Sequence, residues 1–105
     1  MLGAEMIAAE RQRQIEDEGW APLHDKWHTN YELSSAACCY AQPGSGGPYS
    51  HPRAHRPPPD WPWDAEFWKP SRDCIKNLVR AGALIAAEID RLQAETERKA
   101  AGGTE

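Results

Sequence analysis

This chain of 105 residues is short of several things. It has one phenylalanine, two methionines and three cysteines. The cysteines Cys38, Cys39 and Cys74 are odd in number and show no C-x-x-C spacing, so they do not form a disulfide framework. Cys38 and Cys39 are adjacent, and on a helix their side chains diverge by about 100°. They read as small apolar residues. No apolar run approaches the length of a membrane span or a signal peptide, which points to a cytoplasmic protein with no membrane association. Basic residues do not dominate either. The net charge is −4, which argues against general nucleic-acid binding. Also missing are a Walker loop, a dinucleotide fingerprint, H-E-x-x-H and a nucleophile elbow. The chain therefore leans away from an enzyme and implies no cofactor.

A chain this short is a single domain and buries roughly two-thirds of its unfolded surface. Five tryptophans and three tyrosines have to supply much of the core. Residues 2–18 are rich in Ala, Glu, Gln and Arg, all good helix formers. Leu2, Met6 and Ala9 lie on one stripe, with Ile7 and Ile15 beside it, and Gly19 stops the helix. A second helix is expected over 30–42, with Thr29 and Glu32 as a capping box. Its narrow face is Leu33, Ala36, Ala37, Tyr40 and Ala41. Residues 43–60 hold six prolines and three glycines and read as a loop. A Trp-rich turn follows in "WPWDAEFWKP", residues 61–70, with Pro62 at its start.

Ser71 is the expected N-cap of a long third helix over 71–98. Its apolar positions Ile75, Leu78, Gly82, Ile85, Ile89 and Leu92 recur at alternating spacings of three and four, the pattern of a coiled-coil seam. Val79 and Leu84 widen the stripe, and "RAGAL" lets another backbone approach closely. The expected fold is all-α: a three-helix, bundle-like domain over 1–99 with the long third helix as spine, and a flexible tail at 100–105. The seam is longer than two short helices can cover, so a homo-oligomer is expected.

Two polar features invite a site. His24, Asp25 and His28 crowd one connection with the order H-D-x-x-H. Their spacing fits helix capping better than a metal, so no metal is assigned. The general build also suggests the all-α nucleotide pyrophosphohydrolases of the MazG type, which would draw on Asp17, Glu18, His24, Asp25 and His28. The E-x-x-E and E-x-x-D spacing of that chemistry is absent.

Four segments, "ERQRQIEDEGW", "HDKWHTNYELSSAACCYA", "WPWDAEFWKPS" and "NLVRAGALIAAEIDRL", resemble a family of small proteins encoded by phages, prophages and bacteria. Its members typically show E-R-x-R-Q, E-G-W-T-x-x-H-D-D, G-E-L-A-x-A-A-x-Y-A, W-P-W…W-K-P and L-V-K-A-G-A-L-I-x-A-E-I-E-R-L in that order. About half the chain is covered. It departs at Lys26, in place of the second acid of H-D-D, and at Asn30-Tyr31, before the G-E-L position. The resemblance implies a phage-associated context and one fold for the four segments.

That context makes sequestration of a nucleotide-type second messenger of host immunity the leading expectation, counteracting anti-phage defence from the host cytoplasm. Indoles stack on bases, and arginine meets phosphate bidentately. The expected ligand-binding residues are Arg11, Arg13, Trp20, His24, Asp25, His28, Trp61, Trp63, Trp68, Lys69 and Arg72, with the start of the third helix at Ser71 as an anion site. No catalytic residue is assigned. An alternative is an interaction module whose long helix masks a host protein.

Overall fold

A computed structural model describes residues 1–18, 31–44 and 56–102. Three α-helices run over Gly3–Glu18 (α1), Glu32–Gly44 (α2) and Cys74–Gly102 (α3), with a single 3-10 turn at Ala65–Phe67. Among the described residues there is no strand, and no helix is long and apolar enough to cross a membrane. The architecture is all-helical and α3 is its spine. Both α1 and α2 pack on α3, and they make no close contact with each other.

Each helix start has a local cause. Leu2 N–H donates to Glu5 Oε1 at 2.8 Å, the returning half of a capping box. Among the described residues the first helical bond of α2 runs from Ser35 N–H to Tyr31 O at 2.9 Å. The helix runs from Glu32, about two residues later than expected, and the expected Thr29 capping box lies outside the described residues. In α3 the cap is Asp73, not Ser71. Ile75 N–H donates to Asp73 Oδ1 at 2.9 Å, and Asn77 N–H to Asp73 O at 3.2 Å. A carboxylate at this position also suits the helix dipole. The helix continues to Gly102, so residues 100–102 are helical and not tail.

The core lies between α2 and α3. Leu33, Ala36, Ala37, Cys39 and Tyr40 of α2 are buried against Ala81, Leu84 and Ala87 of α3, with Trp68 closing one end. The α2 face is the expected one. The α3 face is not. Ile75, Leu78, Ile85, Ile89 and Leu92 are each about half exposed, while Asn77, Ala81, Ala83, Leu84 and Ala87 are buried. Large knobs explain the choice. Leu33, Tyr40 and Trp68 need small partners opposite them, and the alanine face of α3 offers those where the Ile/Leu stripe does not.

The face of α1 also differs from expectation. Leu2 is exposed and so is Ala9, whereas Ile7 is half-buried and Arg11 and Gln14 are buried. The helix can come close because of Gly82, where an added Cβ would stand 2.5 Å from Ile7 Cδ1 and 2.8 Å from Ile7 Cγ1. At such short range only the apolar stems of long polar residues fit beside it. The expectation that "RAGAL" admits another helix holds, and the visitor is α1 of the same chain.

Candidate functional site

The residues singled out in the sequence divide into groups. Trp20, His24, Asp25 and His28 lie outside the described residues. So does the side chain of Glu18, while Asp17 is exposed and lies 4.0 Å from Arg13. Among the described residues no three of His, Cys, Asp and Glu are gathered as a metal site would need.

Arg11 was expected to meet phosphate, and it is occupied inside the protein. Its side chain is 8 % exposed and its Nε lies 3.1 Å from Asp90 Oδ2, so it ties α1 to α3. A buried guanidinium keeps such a partner because desolvation without one is severe. Arg13 pairs with Glu10 through two bonds of 2.8 Å. That hydrogen bond is the main reason the Glu10 carboxyl sits below its ordinary range, with further help from the charges of Arg13 and Arg80. Neither arginine is positioned as a phosphate arm.

The α3 N-terminus is likewise no ready anion site. Ser71 N–H donates to Asn77 Oδ1 at 2.9 Å, Asp73 N–H to Ser71 Oγ at 3.0 Å, and Ile75 N–H to Asp73 Oδ1. These three amides are satisfied from within, and the Asp73 carboxylate repels an anion. Sequence patterning missed Asn77 altogether. Its amide is buried, accepts from Ser71 N–H and donates to Ser71 O at 2.7 Å. One side chain thus clamps both backbone groups of Ser71. An asparagine facing the core one turn inside a helix was the available signal.

What remains is an aromatic cluster. Trp68 is 3 % exposed and lies at a tilt over Tyr40, with ring centroids 4.7 Å apart. It is a core residue and not a ligand face, because it fills the end of the alanine layer. Trp61 stands edge-on to three rings, 5.6 Å from Tyr40, 5.3 Å from Trp63 and 5.0 Å from Trp68. Trp61 and Trp63 are half-buried and pack against the outside of the core. The fully buried indole of the segment is Trp68.

The segment is held at several points. Trp61 Nε1 donates to Asp64 O at 3.1 Å. Lys69 N–H donates to Tyr40 Oη at 3.2 Å, and Arg80 Nη1 donates to Lys69 O. The Arg80 guanidinium also lies 5.2 Å from the centre of the Tyr40 ring, a cation–π contact. Pro62 and Pro70 restrict the backbone on either side. The result is a rigid shelf that shows part of two indoles. Lys69 and Arg72 are exposed on the same segment, and neither has an ion pair among the described residues. Comparison with protein-family models, with curated proteins and with solved structures finds no match to this chain.

Proposed function

We propose that the chain is a small binding protein that sequesters a planar, nucleotide-type ligand on the Trp61–Trp63 shelf, in a phage-associated setting. The carrying observation is that Trp68 and Tyr40 complete the core, while Trp61 and Trp63 stay half-buried on a segment that α2 and α3 hold in place. An indole presented in that way offers a stacking face without an ordering cost on binding. Stacking is worth about 1–3 kcal/mol per base. Lys69 and Arg72 supply positive charge for an anionic group. The indoles carry most of the recognition, because Arg11 and Arg13 are engaged elsewhere.

A thermal-shift screen of the full chain against cyclic dinucleotides, ADP-ribose derivatives and common nucleotides tests this. A specific ligand at a hundred times its Kd adds about 2.7 kcal/mol of stability. Trp63→Ala abolishes that shift and costs the unliganded chain less than half of what a fully buried aromatic would. If no compound raises melting, or if Trp63→Ala binds as well as the native chain, the proposal fails. Recovery of a hydrolysed product in place of the intact ligand would point to the metal-dependent pyrophosphohydrolase instead.

A further inference from the structure

Among the described residues the largest apolar feature left uncovered is the α3 stripe. Ile75, Leu78, Ile85, Ile89 and Leu92 are 57, 45, 51, 50 and 48 % exposed. Together they leave roughly 500 Å² of apolar surface on one helix face, as much as the largest patch on a typical monomer. At 100° per residue, three faces of α3 stand roughly 120° apart. One is centred on Leu84 and covered by α2; the second includes Asp90 and is covered by α1, whose Ile7 reaches Gly82 at the edge of the third. The third is this stripe.

We propose that the stripe is the interface of a homodimer, in which the α3 helices of two copies pack antiparallel about a two-fold axis between Gly82 and Ile85. Three observations choose a second copy as occupant. First, the spacing 3-4-3-4-3 from residue 75 to residue 92 is the period of a helix meeting another helix along a seam, and no lysine, arginine or acid interrupts it. Second, that spacing reads the same in both directions. A two-fold axis sets Ile75 against the partner's Leu92, Leu78 against the partner's Ile89, and Gly82 against the partner's Ile85, so the face is complementary to itself. The glycine is no gap in the seam, because Ile7 of α1 occupies the space its side chain would take. A parallel pairing would instead align the helix dipoles unfavourably. Third, two such faces bury about 1,000 Å² before any flanking contact, the lower bound for a specific association.

The dimer does not depend on the ligand reading, and its test does not use a ligand. Sedimentation velocity of the full chain from 1 to 100 μM should show a species of twice 11.7 kDa, about 23 kDa. Ile85→Glu and Ile89→Glu, made separately, should each give the monomer with an unchanged helical circular dichroism spectrum, since both side chains are half exposed in the single chain. A native chain that stays at the monomer mass throughout overturns the proposal and leaves the stripe to another segment of this chain or to a different protein. Either variant remaining dimeric also overturns it. Orientation is read in a Cys38→Ser, Cys74→Ser background. An equimolar mixture of Leu78→Cys and Ile89→Cys chains should oxidise to mixed dimers several-fold faster than either variant alone, and like-with-like cross-linking would refute the antiparallel arrangement.

Discussion

Replacing Gly82 with alanine should change stability with a sign that depends on Ile7. Alanine in a helix interior is favoured over glycine by about 1 kcal/mol, through propensity alone. At Gly82 the new methyl would stand 2.5 Å from Ile7 Cδ1, 2.8 Å from Cγ1 and 3.4 Å from Cγ2. Rotating Ile7 about its first side-chain torsion brings one γ carbon in as the other leaves, and β-branched residues have few rotamers in a helix. So α1 has to shift, at an overpacking cost of about 1–3 kcal/mol. The net effect of Gly82→Ala is then a loss of about 1 kcal/mol. In an Ile7→Ala background the obstruction is gone, and the same substitution should stabilise by up to about 1 kcal/mol. The coupling between the two sites is therefore about 2 kcal/mol, within the range for residues in direct contact. Urea denaturation followed by circular dichroism, at one fixed protein concentration, measures all four corners of the cycle. If Gly82→Ala stabilises equally in both backgrounds, α1 does not dock on Gly82 and the packing of Arg11 and Ile7 on α3 is wrong.

Trp68→Ala should cost about 3–5 kcal/mol, as the loss of a buried aromatic does, whereas Trp63→Ala should cost less than half as much; equal losses by thermal melting would make both core residues. Asn77→Ala should cost about 2 kcal/mol in denaturant unfolding, because it removes two hydrogen bonds to the half-buried backbone of Ser71. A loss under about 0.5 kcal/mol, no more than a surface substitution, would show that the Ser71 clamp is not structural. Burial pushes the Cys39 thiol up to about 11 from an ordinary 9.0, with smaller contributions from Asp60 and Cys38. The unfolded chain then loses this proton first as pH rises, so stability falls between pH 9 and 11 and is unaffected below. In Cys39→Ala that alkaline loss should shrink, and a thiol reagent at pH 8 should label exposed Cys38 well before Cys39; equal labelling of the two would refute the burial of Cys39.

Much of the fold was legible in the sequence because its signals are local. Helix-forming composition, the proline- and glycine-rich stretch and the 3-4 spacing of apolar residues place three helices within a few residues of their ends, α3 falling furthest out. Alanines at 36, 37 and 41 foretell a close α2–α3 approach, and Gly82 foretells another on the opposite side of α3. Local signals did not decide which face of α3 turns inward. By hydrophobicity alone the Ile/Leu stripe should be buried. The tertiary structure buries Asn77, Ala81, Leu84 and Ala87 instead, because Leu33, Tyr40 and Trp68 arrive from elsewhere in the chain and require room rather than further bulk. The same holds for the polar residues. Nothing in the neighbours of Arg11 announces Asp90, 79 positions away, and nothing near Ser71 announces that its amide belongs to Asn77 rather than to an anion. Secondary structure here follows from neighbours in sequence, whereas the roles of Arg11, Asn77, Trp68 and the α3 stripe follow from what the folded chain brings beside them.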